Sequence, residues 1–157
     1  MTPRTGEAAC RNPARSGFTL AEAAIVLLIV AMVIGVLTPG VVRQLQHART
    51  NRAANVVAAS FFQAQSLAGR QHTPVVIGFN GTSMIMTISQ PPPTSTVLTT
   101  RRFGLDSEFK LTAFSASPTS VLVLPNGMTN GSVTVTLAGG SYSRQVRMTR
   151  AGQVRVM

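Results

Sequence analysis

Between Ala23 and Leu37 the chain contains only apolar residues and glycine, and with its flanks the run extends to 21 residues, Phe18 to Thr38. A helix needs about 20 such residues to cross the hydrocarbon of a bilayer. Backbone inside hydrocarbon must satisfy its own polar groups, which a helix does internally, so the run predicts a transmembrane helix over 18–39. The remainder of a 157-residue chain is enough for one modest water-facing domain with a single core.

Glu22 stands at the head of this run. Ten side chains (Ile25, Val26, Leu27, Leu28, Ile29, Val30, Val33, Ile34, Val36 and Leu37) each favour insertion by roughly 0.3–0.6 kcal/mol, about 3–6 kcal/mol together. An ionised carboxylate costs about 2.5–3.5 kcal/mol at a helix centre and less near an end, where it reaches the interface. Insertion therefore survives Glu22 but is weakened by it. At the interface, headgroups can solvate the charge.

Arg4, Arg11 and Arg15 outnumber Glu7 ahead of the run. Positive flanking charge keeps the N-terminus in the cytoplasm and sends the C-terminal region outward. An ordinary secretory signal shares the basic start, but its apolar region is shorter and ends at an A-x-A-like site, which is lacking here.

The formal net charge is +10, from thirteen arginines and Lys110 against four carboxylates. Such a chain attracts anionic partners, whether phosphates, acidic lipids or acidic proteins, with a strength that falls as salt rises. Cys10 is the only cysteine, so no internal disulfide forms. His47 and His72 lie far apart without acidic neighbours and read as surface histidines; no metal site and no cofactor are expected.

Beyond the apolar run, Pro39 and Gly40 interrupt a helix without necessarily ending it. Ala53, Val56, Val57, Phe61, Ala64, Leu67 and Ala68 recur at three- and four-residue steps, with Arg43, Gln44, Arg49, Arg52 and Asn55 as polar surface. This spacing predicts an amphipathic continuation over 40–71 that packs on a sheet and stops near Gly69-Arg70-Gln71. From residue 74 the period changes to two. The segments PVVIGF, SMIMTIS, TVLTTRRF, FKLTAF, SVLVL, SVTVTL, YSRQVRMT and GQVRVM read as strands, punctuated by Asn80-Gly81, Pro91–Pro93, Pro125-Asn126-Gly127, Asn130-Gly131 and Gly139-Gly140. The PPPTST segment reads as an extended loop or edge connection. The fold class is α+β, with one long N-terminal helix packed on an antiparallel β-rich domain over 72–157.

Catalysis finds little material. Asp106 and Glu108 lie beside Arg101, Arg102 and Lys110 as solvated charges, and neither a Gly-x-Ser-x-Gly frame nor a phosphate loop is present. No catalytic residue is assigned. Arg144, Arg147, Arg150 and Arg155 gather near the C-terminus and form either a phosphate-gripping cluster or a solvated strand face. With one Tyr and no Trp, base stacking has little to work with.

Gly17-Phe18-Thr19-Leu20-Ala21-Glu22, preceded by a basic leader and followed by the apolar helix, resembles the leader junction of type IV pilins and pseudopilins. Ala21 departs from the commoner Ile or Val, and Pro39 falls where many members carry a kinking proline. The resemblance implies that residues 1–17 are a leader cut by a prepilin peptidase between Gly17 and Phe18, that Phe18 is N-methylated, and that Cys10 leaves with the leader. It implies that Glu22 pairs with the N-terminal amine of a neighbouring subunit as helices pack into a filament, with other pilins or pseudopilins as partners. The implied location is the bacterial inner membrane, with the C-terminal domain in the periplasm. VLVLPNGMTNGSVTVTL and RQVRMTRAGQVRV further resemble the C-terminal part of the GspH/FimT family, in which a Pro-x-Gly turn precedes the last strands and a Gly-x-x-Arg-like segment closes the chain. The mature chain would lack the disulfide loop of major pilins, in keeping with a minor subunit. The resemblance leaves two roles open: a structural pseudopilin of a type II secretion system, or a FimT-like pilin that binds DNA. In the second, a Gly-Arg-x-Arg tail is implied to hold DNA, and Gly152-Gln153-Val154-Arg155 has one arginine fewer.

Replacing Gly17 is expected to leave the precursor at full length on co-expression with a prepilin peptidase, read by gel mobility and N-terminal sequencing. Cleavage at any other bond removes the leader assignment.

Overall fold

A computed structural model of the chain describes residues 19–157, apart from the side chains of 36–39. Gly17, Phe18, Cys10 and the rest of the leader expectation lie outside the described residues. One helix, α1 (Leu20–Gln71), is followed by eight strands: β1 (Val75–Asn80), β2 (Ile85–Ser89), β3 (Val97–Arg102), β4 (Ala113–Ser117), β5 (Ser120–Val123), β6 (Val133–Gly139), β7 (Tyr142–Met148) and β8 (Val154–Val156). The chain divides between Pro39 and Gly40 into two compact units.

In the first unit, α1 begins at an N-cap. Thr19 Oγ1 accepts a hydrogen bond from the Glu22 amide (3.2 Å), and the Thr19 carbonyl accepts from the Ala23 amide (3.2 Å). The second is the first bond of the helix ladder, and the first satisfies one of the donors that a helix start leaves unpaired. The described side chains from Leu20 to Gly35 are all exposed, Leu20 at 88% and Leu27 at 69%. By length and composition this helix can cross a membrane. An apolar surface so long and continuous needs lipid or other protein to cover it.

In the second unit, the buried stripe of α1 is Ala53, Ala54, Val57, Ala58, Phe61, Ala64 and Ala68. Val56 and Leu67, expected within it, lie half-buried at its margins, and alanines take the centre. Small residues let the helix axis approach the strands closely. A Cβ added to Gly139 of β6 would run into Thr50 Oγ1 of α1, so at that point only hydrogen fits. The buried hydroxyls of Thr50 and Ser60 donate to the carbonyls one turn back, Gln46 (2.9 Å) and Val56 (2.8 Å), and so enter the core without an unpaired group. Past Gln71 the chain leaves the helix through His72 (φ 51°), with Pro74 two residues on. A left-handed residue followed by proline ends a helix.

The strands form two four-stranded antiparallel sheets, ordered β3-β2-β1-β5 and β4-β6-β7-β8. The expected β-rich domain is thus divided, and the chain crosses from the second sheet to the first through Pro118-Thr119, between β4 and β5. Alternation sets the buried faces: Val75, Ile77 and Phe79 on β1; Met86 and Ile88 on β2; Val133, Val135 and Leu137 on β6; Val146 and Met148 on β7. A chain of phenyl rings joins the layers. Phe61 of α1 meets Phe79 of β1 edge-on (6.2 Å), Phe79 meets Phe114 of β4 (6.4 Å), and Phe114 stacks on Phe103 (5.3 Å), which touches Phe109 (5.3 Å).

This ring chain also corrects a strand. The FKLTAF segment was expected to be extended from residue 109, but β4 starts at Ala113. Phe109 and Leu111 are both buried, Lys110 between them turns outward at φ 49°, and the Leu111 amide donates to the Phe103 carbonyl (3.2 Å). An unbroken strand would put Phe109 and Leu111 on one face and Phe114 on the other; the break lets all three enter the core and overrides local strand preference. Similarly, β2 starts late, at Ile85, because Met84 is left-handed (φ 52°) and Asn80 Oδ1 accepts the Ser83 amide (3.0 Å) in the preceding turn. The PPPTST segment is a loop between β2 and β3, closed by the Gln90 amide donating to the Thr96 carbonyl (2.9 Å).

Phe61→Ala removes the ring through which the helix contacts β1, and about 3–5 kcal/mol of stability is expected to go with it. Thermal or urea unfolding of the detergent-solubilised chain, followed by circular dichroism, measures the loss.

Candidate functional site

At the N-terminal end, Glu22 lies in the first turn of α1 and is exposed. A carboxylate there also faces the positive end of the helix dipole. Thr19-Leu20-Ala21-Glu22 has the T-x-x-E spacing of a capping box, a signal present in the sequence but masked by the apolar run beside it. The amide of Glu22 is committed to Thr19, while its carboxylate is open to other partners.

The four C-terminal arginines are not one cluster. On β7, Tyr142, Arg144, Val146 and Met148 share the face toward the core, whereas Ser143, Gln145 and Arg147 point outward. Arg144 is half-buried against α1, its Nε donating to Asn51 Oδ1 (2.8 Å). The same oxygen accepts from the Tyr142 hydroxyl (3.4 Å), the Arg144 guanidinium lies over the Tyr142 ring (5.5 Å), and His47 stacks on that ring's plane (3.8 Å, 25°). The group ties β7 to the helix. Arg147, in contrast, is exposed on the outer face and stands directly opposite Arg155 of β8. Arg150 sits in the turn between these strands, its Nη2 donating to the Asn130 carbonyl (3.4 Å). Sequence proximity suggested four arginines acting together; the period of two pulls Arg144 away and the β7–β8 register brings Arg155 in.

Among the described residues, the other carboxylates are exposed and stand apart. Glu108 Oε2 meets Arg52 Nη2 at 3.6 Å, both side chains largely exposed, so water screens the pair heavily. Asp106 is exposed in the loop before β4. Among the described residues, no three of His, Cys, Asp and Glu group as metal ligands. A surface hollow of about 430 Å³ on the first sheet is lined by Gly78, Phe79, Asn80, Ser83, Ile85, Thr87 and Thr119, none of them a base or a charged group.

The two C-terminal motifs meet in space. Gln65 of α1 donates through Nε2 to the Gly152 carbonyl (2.7 Å) and more weakly to the Gly127 carbonyl (3.4 Å), so one helix side chain holds both the Pro125-Asn126-Gly127 turn and the start of Gly152–Arg155. Gly152 has φ 79°, and a Cβ there would overlap the Gly127 carbonyl oxygen. The Thr129 amide adds a bond to the Arg150 carbonyl (2.9 Å). Nothing in the local sequence singles out Gln65, because its partners lie 62 and 87 residues away.

Gly152→Ala is expected to destabilise the domain by at least about 1–3 kcal/mol, from left-handed strain together with the overlap. Thermal unfolding reads the loss, and protease sensitivity should rise first at the C-terminal strand.

The family model for the type II transport protein GspH matches residues 53–152, most of the helix–sheet packing up to the Gly152 turn. In fold, the chain is similar to the type IV minor pilin FimU of Pseudomonas aeruginosa, crystallised in two forms. One aligns with a TM-score of 0.57 at 14% identity, covering 71% of this chain and 90% of that one. The other aligns with a TM-score of 0.54, also at 14% identity, covering 68% and 91%. No curated protein sequence matches. With the match spanning well over half of its residues and the pilin-type arrangement of one long helix on antiparallel sheets, the chain belongs to the GspH family of pilin-like minor subunits.

Proposed function

We propose that the chain is a minor pseudopilin of a type II secretion system, a structural subunit that joins a short periplasmic filament. The observation that carries this reading is the pairing of a GspH-type domain with an apolar half-helix whose surface the chain leaves uncovered. In the proposed order of events, the precursor enters the inner membrane with residues 1–17 in the cytoplasm and the domain after 39 in the periplasm. A prepilin peptidase cuts between Gly17 and Phe18 and methylates Phe18. Other pilins or pseudopilins then pack against residues 18–39.

Glu22 has a defined role in this scheme. A carboxylate and a terminal ammonium are each costly in lipid and less so together, so the pair sets the stagger of one subunit against the next. The subunit performs no chemistry of its own. Likeness to a type IV minor pilin supports a second reading, membership of a type IV pilus, in which the C-terminal arginines would take part in DNA uptake. The separation of Arg144 from Arg147 and Arg155 favours the structural role.

Glu22→Gln tests the pairing. Glutamine serves a capping box as well as glutamate does, so the helix start should be kept while the charge is lost. The variant is expected to insert and be processed normally, yet to lose crosslinks to neighbouring subunits in cells. Normal assembly with glutamine would show that the carboxylate acts only at the helix start.

A further inference from the structure

We propose that the outer face of the second sheet is a docking surface for an acidic protein, whose carboxylates are held between Arg147 and Arg155. The strand registers lay this face out in rows. Ser117, Thr134, Arg147 and Arg155 stand side by side across β4, β6, β7 and β8, and Ser115, Thr136 and Gln145 form the adjacent row. The four strands contain no Asp or Glu, and the ion pair found among the described residues, Arg52–Glu108, lies elsewhere.

Like charges set directly across a strand pair, with Cβ atoms about 4.5–5.5 Å apart, repel each other. A carboxylate placed between the two guanidinium groups reverses that repulsion and accepts forked hydrogen bonds from both. The flanking hydroxyls and the Gln145 amide supply further donors and acceptors. The Arg147–Arg155 row holds no large apolar side chain, so recognition there rests on charge and hydrogen bonding; the adjacent row ends on the exposed Met157, whose backbone pairs with that of Gln145.

The same geometry argues against a nucleic acid as the occupant. Gripping a phosphate backbone takes several cations along a track, and base stacking takes aromatic rings. Arg144 is tied to Asn51 on the opposite face, Tyr142 is stacked on His47 there, and Arg150 is turned toward the Asn130 carbonyl. Two arginines remain, which suits a compact acidic patch. The inference rests on the filament reading only for where the partner comes from, a neighbouring subunit or a secreted protein.

The test uses the full chain in mild detergent and two fluorescent probes, an oligoglutamate peptide and a DNA duplex, followed by anisotropy at low and raised salt. The parent chain is expected to bind the peptide, more weakly as salt rises. Arg147→Gln with Arg155→Gln should lower that affinity about tenfold, with no fall in thermal midpoint. Arg101→Gln with Arg102→Gln on β3 removes the same charge and should change the affinity less than twofold. Equal losses from the two double variants would reduce the effect to net charge and overturn the proposal, as would absence of peptide binding at low salt. Tighter binding of DNA that is lost with Arg147 and Arg155 would make this a nucleic-acid face and overturn it too. The assay contains neither peptidase nor other subunits. A negative result therefore falls on the docking face alone, whereas failure of the filament reading shows in the Glu22→Gln crosslinking.

Discussion

The edge-on contact of Phe61 with Phe79 is where the water-facing domain is held together. Two sheets that share no strand have to be covered by one helix, and neither sheet can bury its apolar face alone. From Phe79 the ring chain passes to Phe114 on the second sheet and on to Phe103 and Phe109 in the loop that precedes β4. Offset and edge-on ring pairs contribute about 0.5–1.5 kcal/mol each beyond the area they bury. The alanines flanking Phe61 along α1 make the contact possible, since bulkier residues would hold the helix off the strands. Gly139 repeats the requirement from the strand side, where Thr50 leaves no room for a side chain.

With the core assigned to that contact, the charged groups fall into separate tasks. Arg144, with Asn51, Tyr142 and His47, fastens the strand bearing the outer arginines to the helix. Gln65 holds the two C-terminal turns at a second point, so β8 and its Arg155 are anchored although the strand is only three residues long. The strands that carry the outer face of the second sheet are thus tied to the helix, and Arg147 and Arg155 are exposed on them. At the other end of α1, Thr19 secures the helix start and leaves the carboxylate of Glu22 uncommitted. Both charged features have their backbones held internally and their side chains exposed.

Much of the fold was legible in the sequence because its signals are local. A largely apolar stretch of 21 residues has few structural outcomes, and alternation of two against a repeat of three and four separates strands from helix without reference to the rest of the chain. All eight strand segments carry such alternation, and seven of them overlap their observed strands over most of the length. FKLTAF is the exception: Phe109, Leu111 and Phe114 are all buried, and an unbroken strand would turn Phe114 to the face opposite the other two. T-x-x-E at Thr19–Glu22 is equally local, but a charge at the head of an apolar run fits a membrane role as well as a helix start, so the motif alone does not single out the cap.

What the sequence determined by itself, then, was the kind of each element, its approximate limits and the family to which the leader junction and C-terminal motifs pointed, because periodicity and short motifs report on neighbours along the chain. Tertiary structure alone decided that the strands divide into two sheets, that Gln65 joins turns 62 and 87 residues distant, and that Arg155 faces Arg147 while Arg144 turns to Asn51. The reason is register. A shift of one residue in strand pairing moves every side chain to the other face, and the register here is set by which apolar residues fit beneath Phe61 and its alanines, a condition spread over the whole core and written in no single segment.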